Sequence, residues 1–252
     1  MGSPIPFDRP PRPWWWWLYQ PYKWLVVGPV VVLATLLFSA VTIVLSPLLP
    51  PRRLGRLSAV PWARTIARVT PISVDVEGRH HVDPGGSYVV IGNHQSLYDI
   101  VLVYGWLGLD TRWVMKRELR KVPGLGLASE RLGHIFVDRT SRVAAAHTLE
   151  AAQERIARGA SVLFFPEGTR SPDGTLGAFK RGAFRMARDL GVPILPVTIV
   201  GTREVLPPGS RDLRPGRVRL VIHPPIQTTD RMGAGLGQLI EEARAAVAAP
   251  LP

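Results

Sequence analysis

The chain of 252 residues contains no cysteine. Disulfide staples, thiolate-ligated zinc and a thiol nucleophile are therefore excluded, while the compartment is left open. Carboxylates are also scarce: 19 Asp and Glu stand against 31 Lys and Arg, giving a formal charge of +12. An excess of that size calls for an anionic partner, either nucleic acid or an anionic membrane. His80, His81, His147 and His223 have no acidic or histidine partner at ligand spacing. They are read as surface or structural residues, and no metal site is expected. No internal repeat occurs, and low complexity is confined to the tryptophan run and the proline-rich tip before it. The 46% of hydrophobic residues suffices for the core of one large domain, with or without an appendage.

Apolar chain near the N-terminus is what the sequence has in plenty. From Trp24 to Leu49 it is almost uninterruptedly apolar, enough for the ~20 residues a helix needs to cross a bilayer. Before it stands Trp14-Trp15-Trp16-Trp17-Leu18-Tyr19, the aromatic type that anchors at a membrane–water interface. After it come Arg52, Arg53, Arg56, Arg64 and Arg68, suited to anionic headgroups or to the cytoplasmic side. A cleaved signal peptide fits poorly, because the run is too long and no small-x-small site follows. The flanking aromatics also speak against a buried helix of a soluble protein. Pro47, Pro50 and Pro51 end the first helix, and Leu54 to Val69 is expected to form a second, amphipathic one. A full crossing and a hairpin in one leaflet both satisfy this pattern. Nucleic-acid binding lacks the aromatic interleaving or motif it needs.

From Ile72 onward strand-like runs alternate with helical stretches, which predicts an α/β domain. The expected architecture is a single mostly parallel or mixed sheet of about seven strands flanked by helices, carrying the N-terminal membrane-associated segment. Candidate strands are Ile72–Val76, Tyr88–Ile91, Thr111–Met115, His134–Val137, Val162–Phe165, Ile194–Val200 and Val218–Ile222. Helices are expected over Leu97–Leu107, Arg142–Arg158, Phe179–Leu190 and Leu236–Ala248, with Gly159 and Gly191 as C-caps. The boundary is drawn between a helical segment, 1–70, and a catalytic domain, 71–252.

Three strand-to-turn stretches carry residues capable of chemistry. In Gly92-Asn93-His94-Gln95-Ser96-Leu97-Tyr98-Asp99-Ile100, a histidine able to take a proton near neutrality stands close to a carboxylate able to fix its tautomer. The same letters from Ser96 to Asp99 spell a capping box. Both readings of the spacing stand, and they are compatible. In Phe165-Pro166-Glu167-Gly168-Thr169-Arg170-Ser171, Gly168 permits a sharp turn and Arg170 suits a phosphate or carboxylate. An exposed surface ion pair is the alternative there. In Gly133-His134-Ile135-Phe136-Val137-Asp138-Arg139, Arg139 and Arg142 stand at a helix start, as Lys180 and Arg181 do further on. Cations there oppose the helix dipole unless an anionic ligand is held between them and the helix amides. Lys116, Arg117, Arg120 and Lys121 form a further basic cluster, which a solvated or membrane-facing surface also explains.

Together these blocks resemble the glycerolipid acyltransferase family that includes the 1-acylglycerol-3-phosphate acyltransferases. Asn93-His94-Gln95-Ser96-Leu97-Tyr98-Asp99, the Gly133–Arg139 block, Phe165–Ser171 and Val192-Pro193-Ile194-Leu195-Pro196-Val197 occur in order. Lys116-Arg117-Glu118-Leu119 and Phe179-Lys180-Arg181-Gly182-Ala183 match between them. The resemblance covers about Ile72 to Gly201. Tyr98 fills a variable position, the tryptophan run is not a family feature, and the chain after Gly201 carries nothing over.

The resemblance implies that His94 is the general base and that Asp99 orients it. It implies an acceptor site drawing on Arg139, Glu167, Gly168 and Arg170, and Asn93, Thr169 and Lys116 are counted with them. The expected reaction moves an acyl chain from a thioester to the sn-2 hydroxyl of 1-acylglycerol-3-phosphate (lysophosphatidic acid), giving phosphatidic acid for phospholipid biosynthesis. Backbone amides near Asn93 or Gly168 are expected to stabilise the oxyanion. No bound cofactor is expected. Acyl-CoA or acyl-carrier-protein thioester is the co-substrate, membrane lipid the partner, and the cytoplasmic face of the cell membrane the location. Acylation of glycerol-3-phosphate, of another lysolipid or of a glycolipid stays open. So do a phospholipid acyl donor and a non-catalytic, anionic-lipid-binding protein.

Overall fold

The computed structural model describes residues 14–137, 142–229 and 235–251. One helix, Trp15–Leu45, comes first among the described residues. Its ends are α-helical, α1 (Trp15–Tyr22) and α2 (Gly28–Leu45), and its middle, Lys23–Val27, is wound as a π-helix. Pro21 and Pro29 flank that stretch. Neither can donate a backbone N–H, and the wider turn accommodates the missing bonds. The chain then returns through α3 (Pro51–Leu54), a second π-turn (Gly55–Ala59) and α4 (Val60–Val69). The amphipathic return helix expected from the sequence is present, with Leu54, Ala63, Ile66 and Ala67 buried on one side.

By length and composition the helix Trp15–Leu45 is able to cross a membrane. Its outer face stays apolar: Leu25, Leu33 and Val44 are 76%, 64% and 69% exposed. Its one charged residue is drawn inward. Lys23 is buried, with Nζ 3.0 Å from Asp212 Oδ1, and the neighbouring Tyr22 hydroxyl donates to Val69 O. Burial works against the Asp212 carboxylate, but hydrogen bonds from Lys23 and Arg214 more than offset it and hold its pKa below the usual range. At the other end Leu45 and Leu49 pack with Leu54, Ala59 and Leu132. The helix is thus docked on the rest of the protein near both ends.

The remaining elements follow as β1 (Ile72–Glu77), β2 (Val89–Gly92), α5 (Tyr98–Trp106), β3 (Thr111–Lys116), α6 (Leu125–Arg131), β4 (Ile135–Val137) and α7 (Arg142–Ala157). Then come β5 (Ser161–Phe164), α8 (Gly182–Leu190), β6 (Ile194–Val200), α9 (Thr202–Val205), β7 (Gly216–Ile222) and α10 (Leu236–Ala248). They build one seven-stranded sheet in the order β1-β7-β6-β2-β5-β3-β4. Only β6 and β7 pair antiparallel. The architecture is the mostly parallel α/β sheet expected, and each expected strand is found with its ends shifted by no more than two residues. The helix expected from Phe179 starts later, at Gly182. Two short helices, α6 and α9, had no signal. Each follows a glycine in place of the side-chain cap that marks a helix start, Gly124 with φ +74° and Gly201 with φ +86°.

Helices cover both faces of the sheet, which is why β2 reads as an unbroken apolar run. Val90 faces a core shared with α4 and α5, whereas Val89 and Ile91 face one shared with α8 and α10. Ala63, Ile66 and Ala67 of α4 thus belong to the same core as Val101 and Leu102 of α5. The return half of the hairpin is packed into the domain it precedes.

His134, at the entry to β4, is buried. Its Nε2 pairs with the Tyr104 hydroxyl and its Nδ1 lies 3.3 Å from Trp113 N. Burial, with the Arg112 charge nearby, holds its pKa down to about 3. Below its ordinary pKa of about 6.5 the unfolded chain therefore binds a proton that the native state refuses, so stability falls as pH falls through that window. Thermal unfolding followed from neutrality to about pH 4 is expected to show this decline, with a shallower slope in His134→Asn. An unchanged slope in the variant would remove His134 as its source.

Candidate active site

The site lies at the carboxyl edge of the central parallel strands, where β2 ends at Gly92 and β5 at Phe164. Asn93 leaves the sheet first and is fully buried. Its amide donates to Ile199 O and accepts from Ile199 N, both at 2.8 Å. The side chain is an extra rung between β2 and β6, and both ends of its amide are engaged. The backbone of His94 is then gripped on both sides by the 165–171 turn. Its N–H donates to Glu167 Oε1 at 2.8 Å, and its carbonyl accepts from Ser171 N at 2.8 Å. The imidazole stacks on Phe165, centroids 4.0 Å apart and planes 8° from parallel.

His94 Nδ1 lies 2.7 Å from Asp99 Oδ2. That oxygen also accepts the backbone N–H groups of Gln95 and Ser96, at 2.8 and 2.9 Å. An oxygen receiving those donors is a carboxylate acceptor, so the proton between the pair sits on Nδ1 and the lone pair is left on Nε2. Among the described residues, Nε2 has no hydrogen-bond partner. The cap and the pair are one structure. Ser96 N–H to Asp99 is the reciprocal half of a capping box, while Ser96 Oγ accepts from Tyr98 N at 3.1 Å and donates to Leu206 O at 2.7 Å.

The other carboxylate oxygen is held by a residue that sequence reasoning missed. Thr202 Oγ1 donates to Asp99 Oδ1 at 2.5 Å across 103 positions of chain. Thr202 is brought there by Gly201, whose φ is +86° and where a Cβ would stand 2.3 Å from Arg217 O. Only glycine fits such a turn, and that glycine ending β6 was the one available signal. Thr202→Val is expected to leave one buried carboxylate oxygen without a donor, at about 1–3 kcal/mol. It should lower kcat more than it raises KM, with Thr202→Ser restoring both. A variant that loses stability but keeps kcat would confine Thr202 to a structural role.

The second turn is braced by its own carboxylate and glycine. Besides His94 N, the Glu167 carboxylate accepts Gly177 N at 2.9 Å, so it braces two loops against each other. Gly168 adopts φ +82° and its N–H donates to Phe165 O at 3.0 Å. The amide expected to meet an oxyanion is thus already engaged. Thr169 is exposed and Arg170 half-buried, and Arg170 has no ion-pair partner among the described residues. Lys116 ends β3 at the same edge, 3.2 Å from Glu118 and exposed. Arg139 lies outside the described residues. His147, expected to stand without an acidic partner, is 3.2 Å from Glu150, both exposed three residues apart on α7. That spacing is a surface pair on a helix, with no third ligand beside it among the described residues.

The family model described as Acyltransferase matches residues 73–200. A chloroplastic 1-acyl-sn-glycerol-3-phosphate acyltransferase of Brassica napus is 35% identical over 199 residues, which are 78% of this chain and 56% of that protein. The enzyme of the same name from Pseudomonas aeruginosa is 31% identical over 206 residues, 80% of this chain and 79% of that one. Among solved structures, the 1-acyl-sn-glycerophosphate acyltransferase PlsC of Thermotoga maritima superposes with a TM-score of 0.76 at 28% identity, covering 92% of both chains. This chain spans a little over half the length of the plant and algal relatives it matches.

Proposed function

The chain belongs to the acyltransferase family, and from that premise we propose that it transfers a fatty acyl group from a thioester to the sn-2 hydroxyl of 1-acylglycerol-3-phosphate. The observation that carries this reading is the buried Asp99 carboxylate fixing His94 Nδ1 at 2.7 Å and leaving Nε2 without a partner among the described residues. The names of the relatives supply the acceptor.

In this mechanism Nε2 takes the proton of the acceptor hydroxyl as its oxygen attacks the acyl carbonyl carbon. Asp99 stabilises the imidazolium that forms. The tetrahedral intermediate collapses with cleavage of the C–S bond, and the thiolate leaves with the proton held on His94. The substrate hydroxyl is the nucleophile, so a chain without cysteine lacks nothing. Arg170, half-buried and unpaired among the described residues, is the cation assigned to the acceptor phosphate, with Lys116 at the same edge; Arg139 is assigned to it by the family resemblance alone. A bidentate guanidinium would fix which hydroxyl meets His94. Asn93 and Glu167 act through the backbone they hold, and Gly168 through the turn it permits.

The first helix supports the proposed location. Docked through Lys23–Asp212 near one end and Leu45–Leu49 at the other, it lies along the domain with its apolar side outward. A helix tied near both ends to one domain fits a single leaflet better than a crossing. The proposed place is the cytoplasmic face of the cell membrane, where a water-soluble acyl-CoA or acyl-carrier-protein donor meets a lipid acceptor.

Thiol release from acyl-CoA and from acyl-carrier-protein thioester, measured with lysophosphatidic acid and with glycerol-3-phosphate, tests the assignment. Release with lysophosphatidic acid and stoichiometric formation of phosphatidic acid is expected. Release only with glycerol-3-phosphate would move the acceptor, and no release with any pair would abandon the reading.

A further inference from the structure

A cavity of about 170 Å³ opens between α4, the C-terminal end of α5 and the start of β3. Thr111 and Arg112 line it where β3 begins, parallel to β5 and thus at the amino edge of the strands whose carboxyl ends carry His94. It is therefore separate from the site above. Five arginines line it: Arg52, Arg56, Arg64, Arg79 and Arg112. They come from the helical hairpin, from the turn after β1 and from β3, so the fold and not one helix brings them together.

Asp110 is the one carboxylate of the lining among the described residues, and it is closed by Arg112, which binds it bidentately at 2.7 and 2.8 Å. Arg64 caps the end of α5 through Gly105 O and lies over Trp106, where the helix dipole favours a cation. Arg52 reaches only the carbonyl of Pro84. The guanidinium groups of Arg56 and Arg79 have no hydrogen bond or ion pair among the described residues. Arg52, Arg56 and Arg79 are solvent-exposed, and their three guanidiniums border one small space with no ion-pair partner among the described residues. Like charges so gathered repel unless an anion joins them, and planar forks match phosphate oxygens.

We propose that this cavity binds the phosphate of an anionic headgroup, held by Arg52, Arg56 and Arg79. A leaflet phospholipid is the favoured source, because the arginine-bearing helix packs directly on the apolar helix with its exposed leucines. That source rests on the leaflet reading above, whereas the phosphate chemistry does not.

The test is labelling of the full chain with phenylglyoxal, read arginine by arginine by mass spectrometry, which needs no turnover. The arms are neutral phosphatidylcholine vesicles, the same vesicles with a minority of phosphatidic acid, and neutral vesicles with inorganic phosphate. Phosphatidic acid is expected to protect Arg56 and Arg79 about tenfold at ligand about tenfold above its Kd, with the exposed Arg158 and Arg188 unchanged. Arg56→Gln with Arg79→Gln should lose the matching increment of vesicle binding, while Arg158→Gln with Arg188→Gln keeps it. Equal protection by inorganic phosphate alone would keep the site and overturn its lipid source. No protection at Arg56 and Arg79, or equal protection at Arg158 and Arg188, would overturn the site. Failure of the transfer assay with this protection intact would separate the two readings.

Discussion

His94→Ala is expected to lower thioester-dependent acylation by about 10²–10⁴-fold, the range for losing a positioned general base, while the protein stays folded. The fold should tolerate the change for a local reason. Alanine keeps the backbone N–H that Glu167 holds and the carbonyl that Ser171 holds. Asp99 keeps the N–H groups of Gln95 and Ser96 and the Thr202 hydroxyl, so its buried charge is not orphaned. What is lost is the hydrogen bond to Asp99 and the stack on Phe165, the latter worth about 0.5–1.5 kcal/mol. Rates with lysophosphatidic acid, set beside thermal unfolding, check both halves. A folded His94→Ala protein with undiminished kcat would remove the histidine from the mechanism.

Asp99 should separate chemistry from stability through two different substitutions. Asparagine can keep its oxygen toward Gln95, Ser96 and His94 and turn its NH₂ toward the Thr202 hydroxyl, which is free to accept. Asp99→Asn therefore keeps the turn but loses the charge that supports the imidazolium, and kcat should fall by about 10²-fold or more. KM for the acceptor should change little, because Asp99 is fully buried behind His94. Asp99→Ala leaves the same donors with no acceptor, at about 1–3 kcal/mol for each buried group. Its unfolding temperature should drop well below that of Asp99→Asn. A rise in KM with unchanged kcat in Asp99→Asn would instead make Asp99 part of acceptor binding.

Parts of this site could be read directly from the chain. His94 and Asp99 are five residues apart, so the strand-to-helix turn alone fixes their meeting. The capping-box letters and the His–Asp letters coincide because one carboxylate oxygen serves both. Asn93 and Glu167 were legible as positions but not as roles. Their partners, Ile199 and Gly177, lie on strands and loops whose register no local pattern states. Gly168 was legible as a turn residue, while the engagement of its amide by Phe165 depends on how that turn closes. Thr202 was legible only through the glycine before it, since a threonine 103 positions from Asp99 otherwise looks like any other.

The sequence by itself determined the apolar first helix, the amphipathic return, the seven strands and the two turns that carry His94 and Arg170. Periodicity, length and turn chemistry act over a few residues, and those are the distances at which a sequence can be read. Tertiary structure alone decided which groups are engaged and which are left over. Packing of the sheet turned Glu167 and Asn93 into braces, brought Thr202 under Asp99, and left His94 Nε2 without a partner among the described residues. It also drew Arg79 and Arg112 beside the hairpin arginines, turning a run of charge along a helix into a cavity lined with guanidinium groups. Such contacts join residues distant in the chain, and their geometry is set by strand register and helix docking rather than by any spacing written in the sequence.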